Sequence, residues 1–194
     1  MDRIKPYKRF LVWLWFQWES LFHILFHVKQ IDPDNELYYC RAKTYHGQAM
    51  QLDDGEEIRD GDRIIELHFN NRMLFQMLTE TGSMVQLAVG MIRTTKQTLP
   101  VLLKQIELDP GLGNIKGVIG ITMIHRGTKK LGFTIVDLPA GIFSRLTKYY
   151  LRVLLSVINP DGKQLIEHKG DAFTPKIVVL SVKELEKRYR GEAS

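Results

Sequence analysis

The chain has 194 residues, of which 44% are hydrophobic and 25% are charged, and its formal net charge is +5. This composition is typical of a globular domain and excludes a disordered or low-complexity chain. Its one cysteine, Cys40, excludes an internal disulfide and zinc sites built from paired cysteines. Cys40 lies in an apolar run, which favours a buried structural thiol over a nucleophile and indicates a reducing, cytoplasmic compartment.

The basic residues are concentrated at the two ends of the chain, at residues 3–9 and 183–190. A mildly basic surface suits contact with phosphates or with anionic lipid. No interior stretch combines dense lysine and arginine with the aromatic platforms of an RNA-recognition sheet. Nucleic-acid binding is therefore disfavoured.

Residues 1–30 are predicted to carry an amphipathic, aromatic N-terminal helix. Glu19 and other polar residues interrupt its apolar run, which opposes a transmembrane span, and no small-residue cleavage site follows it. Three interpretations remain open: an arm packed into the domain's own core, a docking element for a protein partner or a second copy, and a helix lying peripherally on a membrane. The residues predicted for partner or membrane contact are Trp13, Trp15, Phe16, Trp18 and Phe22.

The first half of the globular body, which spans residues 31–194, alternates strand and helix patterns. Two Asp-Gly dipeptides mark tight turns between short strands, and apolar residues then recur at helical spacing. Ser83 can cap the longer helix, and Pro100 is expected to kink it or to begin a new one. The predicted elements are a strand over 36–45, a meander of three strands over 49–70, and helices over 71–80 and 84–107.

The second half continues the alternation. Thr122 is expected to cap a short helix that ends at Gly132, and Ser181 with Glu184 forms a capping box. The predicted elements are strands over 115–122, 133–139 and 176–180, and helices over 123–131, 140–159 and 182–190. Since no internal repeat or Pro/Gly/Ser-rich linker divides the chain, residues 1–194 are predicted to form one α+β domain, with packed helices on an antiparallel or mixed sheet.

The stretch GDRIIELHFNN, residues 61–71, carries the candidate polar surface. In an extended strand Ile65, Leu67 and Phe69 point to one side, whereas Glu66, His68 and Asn70 point to the other. Polar planar groups of this kind suit hydrogen bonding to sugar hydroxyls or to a partner loop. The alternative to such a contact surface is the ordinary solvent-exposed face of a half-buried strand. The turn residue Asp62 and the first residue of the next helix, Asn71, complete the candidate set.

The run LDDGEE, residues 52–57, resembles the metal-binding aspartate motif of polysaccharide deacetylases, and His23 and His27 have the spacing of a metal-binding histidine pair. However, the histidines precede the aspartates, the motif's proline is absent, and the chain is too short for a (β/α) barrel of that kind. A hairpin turn accounts for the run, so no metal site is predicted.

A second polar cluster is expected where the strand over 115–122 reaches the helix predicted after it. The helix start at Thr122, with His125 and Arg126 beside it, predicts a generic anion site. No Ser-His-Asp, Cys-His or nucleophile-elbow arrangement can be read, so neither catalytic residues nor a cofactor are predicted.

Three blocks in this order resemble a known family, the YkoP-like domain of Bacillus-type bacteria, which occurs alone or attached to polysaccharide deacetylases. The resemblance covers most of residues 8–150 and implies an accessory module of cell-envelope carbohydrate metabolism, without deacetylase activity because the barrel is absent. The blocks are Gly61-Asp62-x-Ile64-x-x-Leu67-His68-x-x-Asn71, Lys116-Gly117-Val-Ile-Gly120-Ile-Thr122-Met, and Arg126-Gly127-x-x-x-Leu131-Gly132-Phe133.

Two functional hypotheses follow. The first is a non-enzymatic accessory domain that binds a carbohydrate or a protein partner. The alternative is a small transferase or hydrolase in which His68 is the general base, oriented by Glu66, with the anion held near Thr122, His125 and Arg126. The alternative requires the two segments to meet in one cleft.

Overall fold

The computed structural model describes residues 28–81, 83–139 and 174–192, together with the single positions 13, 17, 141, 145 and 149. Within these residues the strands are β1 (Lys29–Asp32), β2 (Asn35–Thr44), β3 (Met50–Gln51), β4 (Glu57–Ile58), β5 (Arg63–Phe69), β6 (Ile115–Thr122), β7 (Thr134–Asp137) and β8 (Lys176–Ser181). The α-helices whose bounds lie within these residues are α1 (Asn71–Thr81), α2 (Met84–Leu108) and α3 (Val182–Tyr189). Most of the helices predicted over 1–30 and 140–159 lies outside the described residues.

Six of these strands form one mixed sheet in the order β1-β2-β5-β6-β8-β7. Strands β5 and β6 are parallel, so the chain must cross over between them, and α1 and α2 form that connection. The other neighbouring strands in this sheet pair antiparallel. The predicted fold class, α+β with a mixed sheet and packed helices, is confirmed.

The two faces of the sheet are covered by different elements. The helix face packs against α2 and α3, whose Leu99, Leu103 and Leu185 are buried together with Ile65 and Val118. The opposite face, here called the hairpin face, carries the small β3–β4 hairpin. There Met50, Leu52 and Ile58 pack on Ile64, Ile119 and Val179. Because side chains alternate along a strand, Glu66 and His68 lie on the same face as Ile64, the hairpin face.

Several local predictions are confirmed by the backbone. The strand predicted over 36–45 is β2, and the helices predicted over 71–80 and 182–190 are α1 and α3. The Ser83 side chain accepts a hydrogen bond from the amide of Gln86, 3.5 Å away, and so caps α2. Ser181 accepts from the amide of Glu184 at 2.9 Å and caps α3.

Two predictions about local structure are wrong, and for Pro100 one of the two predicted alternatives is excluded. The three strands over 49–70 are not one meander, because β3 and β4 pair only with each other and β5 enters the large sheet. No new helix begins at Pro100, since α2 continues through it while Leu99, Leu102 and Leu103 hold both sides of the proline in the core. The helix predicted over 123–131 is a loop followed by a short 3-10 helix, Thr128–Leu131.

Glycines explain the last of these corrections. Gly127 has a φ of 97° and Gly132 a φ of 96°, so both adopt the left-handed conformation that interrupts a right-handed helix. Only the short 3-10 turn fits between them. The prediction that Gly132 ends this segment is confirmed.

Candidate functional site

Three side chains from two neighbouring strands meet around the carboxylate of Glu66 on the hairpin face. We call Arg41, Lys43, Glu66 and His68 the Glu66 cluster. Arg41 lies directly opposite Glu66 in the antiparallel β2–β5 pair, and Lys43 lies one pleat further along the same face. The cluster therefore follows from the register of these two strands.

The Glu66 carboxylate accepts from three side chains. Its Oε2 atom is 2.7 Å from Arg41 Nε and 2.6 Å from Arg41 Nη2, and its Oε1 atom is 2.7 Å from Lys43 Nζ. The Nε2 atom of His68 is 3.1 Å from Oε2. These distances are those of charge-assisted hydrogen bonds, so both carboxylate oxygens are engaged.

The cluster is partly buried yet reachable from solvent. Its side chains are 18% exposed for Glu66, 23% for Arg41 and His68, and 37% for Lys43. Burial by itself would raise the pKa of Glu66, but hydrogen bonds and charge interactions with His68 and Lys43 outweigh it and hold the pKa well below its usual range. Glu66 is therefore a fixed anion and a weak base at neutral pH.

This lowered pKa predicts a specific loss of stability in acid. In the unfolded chain a glutamate has a pKa of about 4.3, so below that pH the unfolded state takes up the proton first. The stability that Glu66 contributes is present above this pH and is lost as the pH falls toward its folded-state pKa. Urea unfolding between pH 7 and pH 3 should thus show a steeper loss for the natural chain than for Glu66→Gln. Parallel curves would contradict the assignment.

Asn70 does not continue the polar row of Glu66 and His68. Strand β5 ends at Phe69, and the buried Asn70 side chain accepts from the amides of Arg72 at 3.0 Å and Met73 at 3.3 Å. Asn70 thus caps α1, which begins at Asn71 as predicted. The predicted shared face of Glu66, His68 and Asn70 is corrected to Glu66 and His68, because the chain turns before Asn70.

Asp62 has a role in the turn that precedes β5. Its carboxylate accepts a hydrogen bond from the backbone amide of Arg59, 2.7 Å away. Gly61 beside it has a φ of 89°, a left-handed turn conformation. The hydrogen bond that Asp62 accepts from Arg59 therefore stabilises the turn.

The second predicted cluster lies on the other side of the sheet. Thr122 is buried and lines a small cavity of about 30 Å³ on the helix face, together with Leu67 and Phe69. Its hydroxyl accepts from the amide of Ile124 at 3.0 Å. No α-helix begins here, so the predicted anion site at a helix start is not formed.

His125 and Arg126 belong to the loop after β6. Arg126 is exposed, whereas the Nδ1 atom of His125 is buried and has no hydrogen-bond partner among the described residues. Burial, and then the charges of Lys176 and Arg126, lower the pKa of His125. Thr122 lies on the helix face and His68 lies on the hairpin face, so the structure does not bring the two side chains together.

The aspartate-rich run over 52–57 joins the hairpin to α3. Asp54 accepts a hydrogen bond from the hydroxyl of Ser181, and Glu56 pairs with Lys183 at 2.7 Å. Across residues 28–81, 83–139 and 174–192, no group of three or more histidine, cysteine, aspartate or glutamate side chains is placed to hold a metal ion. His23 and His27 lie outside the described residues.

Of the five predicted aromatic contact residues, the structure describes Trp13. Its side chain is 54% exposed, and position 13 is helical. Trp15, Phe16, Trp18 and Phe22 lie outside the described residues. In the part of the chain that is described, no helix is both long and apolar enough to cross a bilayer.

Cys40 is buried in β2, as predicted for a structural thiol. Burial raises the pKa of its thiol to about 11, against a smaller opposing effect of Lys29. Since the thiolate is the nucleophilic form, burial and the raised pKa disfavour a nucleophilic role for Cys40 near neutral pH.

Sequence reasoning missed Arg41 and Lys43. The alternation along residues 36–45 places these two cations on one face of a strand, and this signal was available. Their meeting with Glu66 depends on which strand pairs with β5 and in what register, which the local pattern does not contain.

The comparisons with known proteins identify a family and no fold. Residues 8–189 match the YkoP domain family. The chain is 26% identical over 178 residues to a Bacillus subtilis (strain 168) protein described as "Uncharacterized protein YkoP", covering 91% of this chain and 94% of that protein. No solved structure matches. The chain belongs to the YkoP domain family.

Proposed function

We propose that the chain is a non-enzymatic binding domain and that the Glu66 cluster is its contact surface. The observation that carries the proposal is the convergence of Arg41, Lys43 and His68 on one partly exposed carboxylate. Each side chain is held by another, so the surface is ordered before a ligand arrives. Such preorganisation lowers the entropy cost of binding.

The same geometry favours binding over catalysis. Glu66 cannot itself serve as a general base, because a general base needs a pKa near the working pH and the pKa of Glu66 lies well below its usual range. In the enzymatic alternative that role falls to His68. His68 is oriented by Glu66, but the anion site of the enzymatic alternative was to be completed near Thr122, which lies on the helix face. His68 therefore lacks that predicted partner.

A carbohydrate is the ligand class we propose. Guanidinium, ammonium, imidazole and carboxylate groups on one flat surface match the donors and acceptors of sugar hydroxyls. The sequence resemblance implies that domains of this family occur alone or attached to polysaccharide deacetylases. Such attachment supports our proposal of an accessory module in cell-envelope polysaccharide metabolism.

We propose a second contact for the N-terminal aromatic helix, which would dock a protein partner or a second copy. The exposure of Trp13 supports this role, since a large exposed aromatic side chain is typical of interaction surfaces. We propose a reducing, cytoplasmic compartment, with which the buried Cys40 is compatible. Peripheral contact with a membrane is the other use that we propose for the N-terminal aromatic helix.

Calorimetric titration of the full chain tests the binding role. The probes are hexamers of N-acetylglucosamine, galacturonic acid and glucosamine, which are neutral, acidic and basic. We expect at least one to bind and to be recovered unchanged by mass spectrometry, with affinity reduced by Lys43→Gln but not by Lys104→Gln on the surface of α2. Cleavage or modification of a probe would favour the enzymatic alternative, and no binding by any probe would contradict the proposal.

A further inference from the structure

The balance of charge in the Glu66 cluster bears on the sign of its ligand. Two permanent cations, Arg41 and Lys43, face the single carboxylate of Glu66. Counted over these three permanent charges, the cluster carries one net positive charge. The cluster thus attracts anions despite its central carboxylate.

The flanking positions on the same face do not cancel this charge. In the paired strands, Tyr39 lies opposite His68 and Ile119 lies beside Glu66. Ile64 precedes Glu66 on the same face, and its side chain is buried under the hairpin. None of these three described strand neighbours carries a second carboxylate.

The ammonium group of Lys43 is also placed for an external anion to reach it. Lys43 is the most exposed member, and only one of its three N–H donors is needed for Glu66 Oε1. Arg41 and Lys43 approach different oxygens of the carboxylate, so they flank it on two sides. Because Lys43 is more exposed than Glu66, an acidic group of a ligand can contact the ammonium group of Lys43 from the solvent side, away from the Glu66 carboxylate.

Glu66 itself would limit how tightly an anionic ligand binds to the cluster. Its carboxylate fixes the orientation of both cations, which reduces the entropy lost on binding, but its charge opposes a ligand anion. Removing the charge while keeping the shape should therefore strengthen binding of an acidic ligand.

From these observations we propose that the ligand of the Glu66 cluster is an acidic glycan, whose carboxylate or phosphate groups bind the exposed ammonium group of Lys43. This inference rests on the proposed binding function and adds the charge of the ligand to it. A carboxylated sugar polymer and a phosphate-linked polyol polymer present the same anionic chemistry, and the experiment separates them.

The test compares four probes on the full chain at low and moderate salt: a galacturonic acid hexamer, poly(glycerol phosphate), a neutral N-acetylglucosamine hexamer and a single-stranded DNA 12-mer. We expect one acidic glycan to bind about tenfold or more tightly than the neutral one, and to weaken as salt rises. Tighter binding of the galacturonic acid hexamer identifies carboxylate as the group recognised, whereas tighter binding of poly(glycerol phosphate) identifies phosphate. DNA binding as tight as the glycan's would overturn the assignment to a glycan.

Matched variants locate the effect. For the acidic glycan, Lys43→Gln should reduce affinity about fivefold or more, Glu66→Gln should increase it severalfold, and Lys104→Gln should leave it unchanged. Thermal unfolding of each variant checks that it is folded. Equal, cluster-dependent affinity for the neutral hexamer would overturn the acidic-ligand inference while leaving the binding function intact. Absence of binding by every glycan would overturn both.

Discussion

Glu66→Leu is expected to lower the free energy of unfolding by about 2–4 kcal/mol. The substitution removes the acceptor of Arg41, Lys43 and His68 and leaves two cations together in a partly buried place. Breaking a fully buried pair in this way typically costs about 3–5 kcal/mol, and the 18% exposure of Glu66 reduces that amount. Urea unfolding at pH 7 measures the change.

Two further variants show that charge imbalance is the cause. Glu66→Gln keeps the shape and one acceptor oxygen, so its loss should be smaller. Adding Arg41→Met and Lys43→Met to Glu66→Leu removes the uncompensated cations and should recover part of the lost stability. If Glu66→Leu were as stable as the natural chain, the cluster would not be the tightly coupled unit described above.

Gly117→Ala is expected to lower the free energy of unfolding by about 1–3 kcal/mol, because β6 is crowded at this position. A Cβ atom on Gly117 would lie 3.0 Å from the carbonyl oxygen of Leu180 and 3.0 Å from Cδ1 of Ile58. The first contact is with the backbone of β8 and the second is with the hairpin packed above the sheet. Neither neighbour can move without disturbing the hairpin face that carries the Glu66 cluster.

Gly120→Ala on the same strand is the matched control. Its Cβ would lie 3.5 Å from Cγ2 of Val178 and 3.7 Å from Cβ of Leu67, which are ordinary contacts, and Gly120 borders the small cavity on the helix face. Since alanine also reduces the freedom of the unfolded chain, this variant should be neutral or stabilised by up to about 1 kcal/mol. Equal destabilisation of the two variants would contradict the close approach of the hairpin at Gly117.

Sequence patterns predicted most of the individual elements because these depend on neighbouring residues. The alternation in residues 63–69, the cap at Ser83 and the capping box at Ser181 are local signals, and each is present in the structure. The pairing of strands is not local, and the prediction of a meander failed for that reason. A two-residue strand such as β3 can pair within its own hairpin while β5 joins β2 and β6.

The candidate site was predicted only in part for the same reason. Glu66 and His68 were identified from alternation in one strand, but the surface is completed by Arg41 and Lys43 on another. Asn70 was assigned to the row because the pattern does not show where a strand ends and a cap begins. Thr122 was expected near His68, whereas alternation within the paired strands places the two on opposite faces.

The central claim is that the Glu66 cluster binds an acidic glycan, and an NMR titration tests it most directly. Two-dimensional ¹H–¹⁵N spectra of the full chain are recorded while the galacturonic acid hexamer or poly(glycerol phosphate) is added. We predict saturable shifts in the amides of Arg41, Lys43, Glu66 and His68, and in Lys43→Gln the same shifts should need about fivefold or more glycan to reach half-saturation. Shifts confined to the loop around His125 and Arg126, or no saturable shifts with either glycan, would contradict the claim.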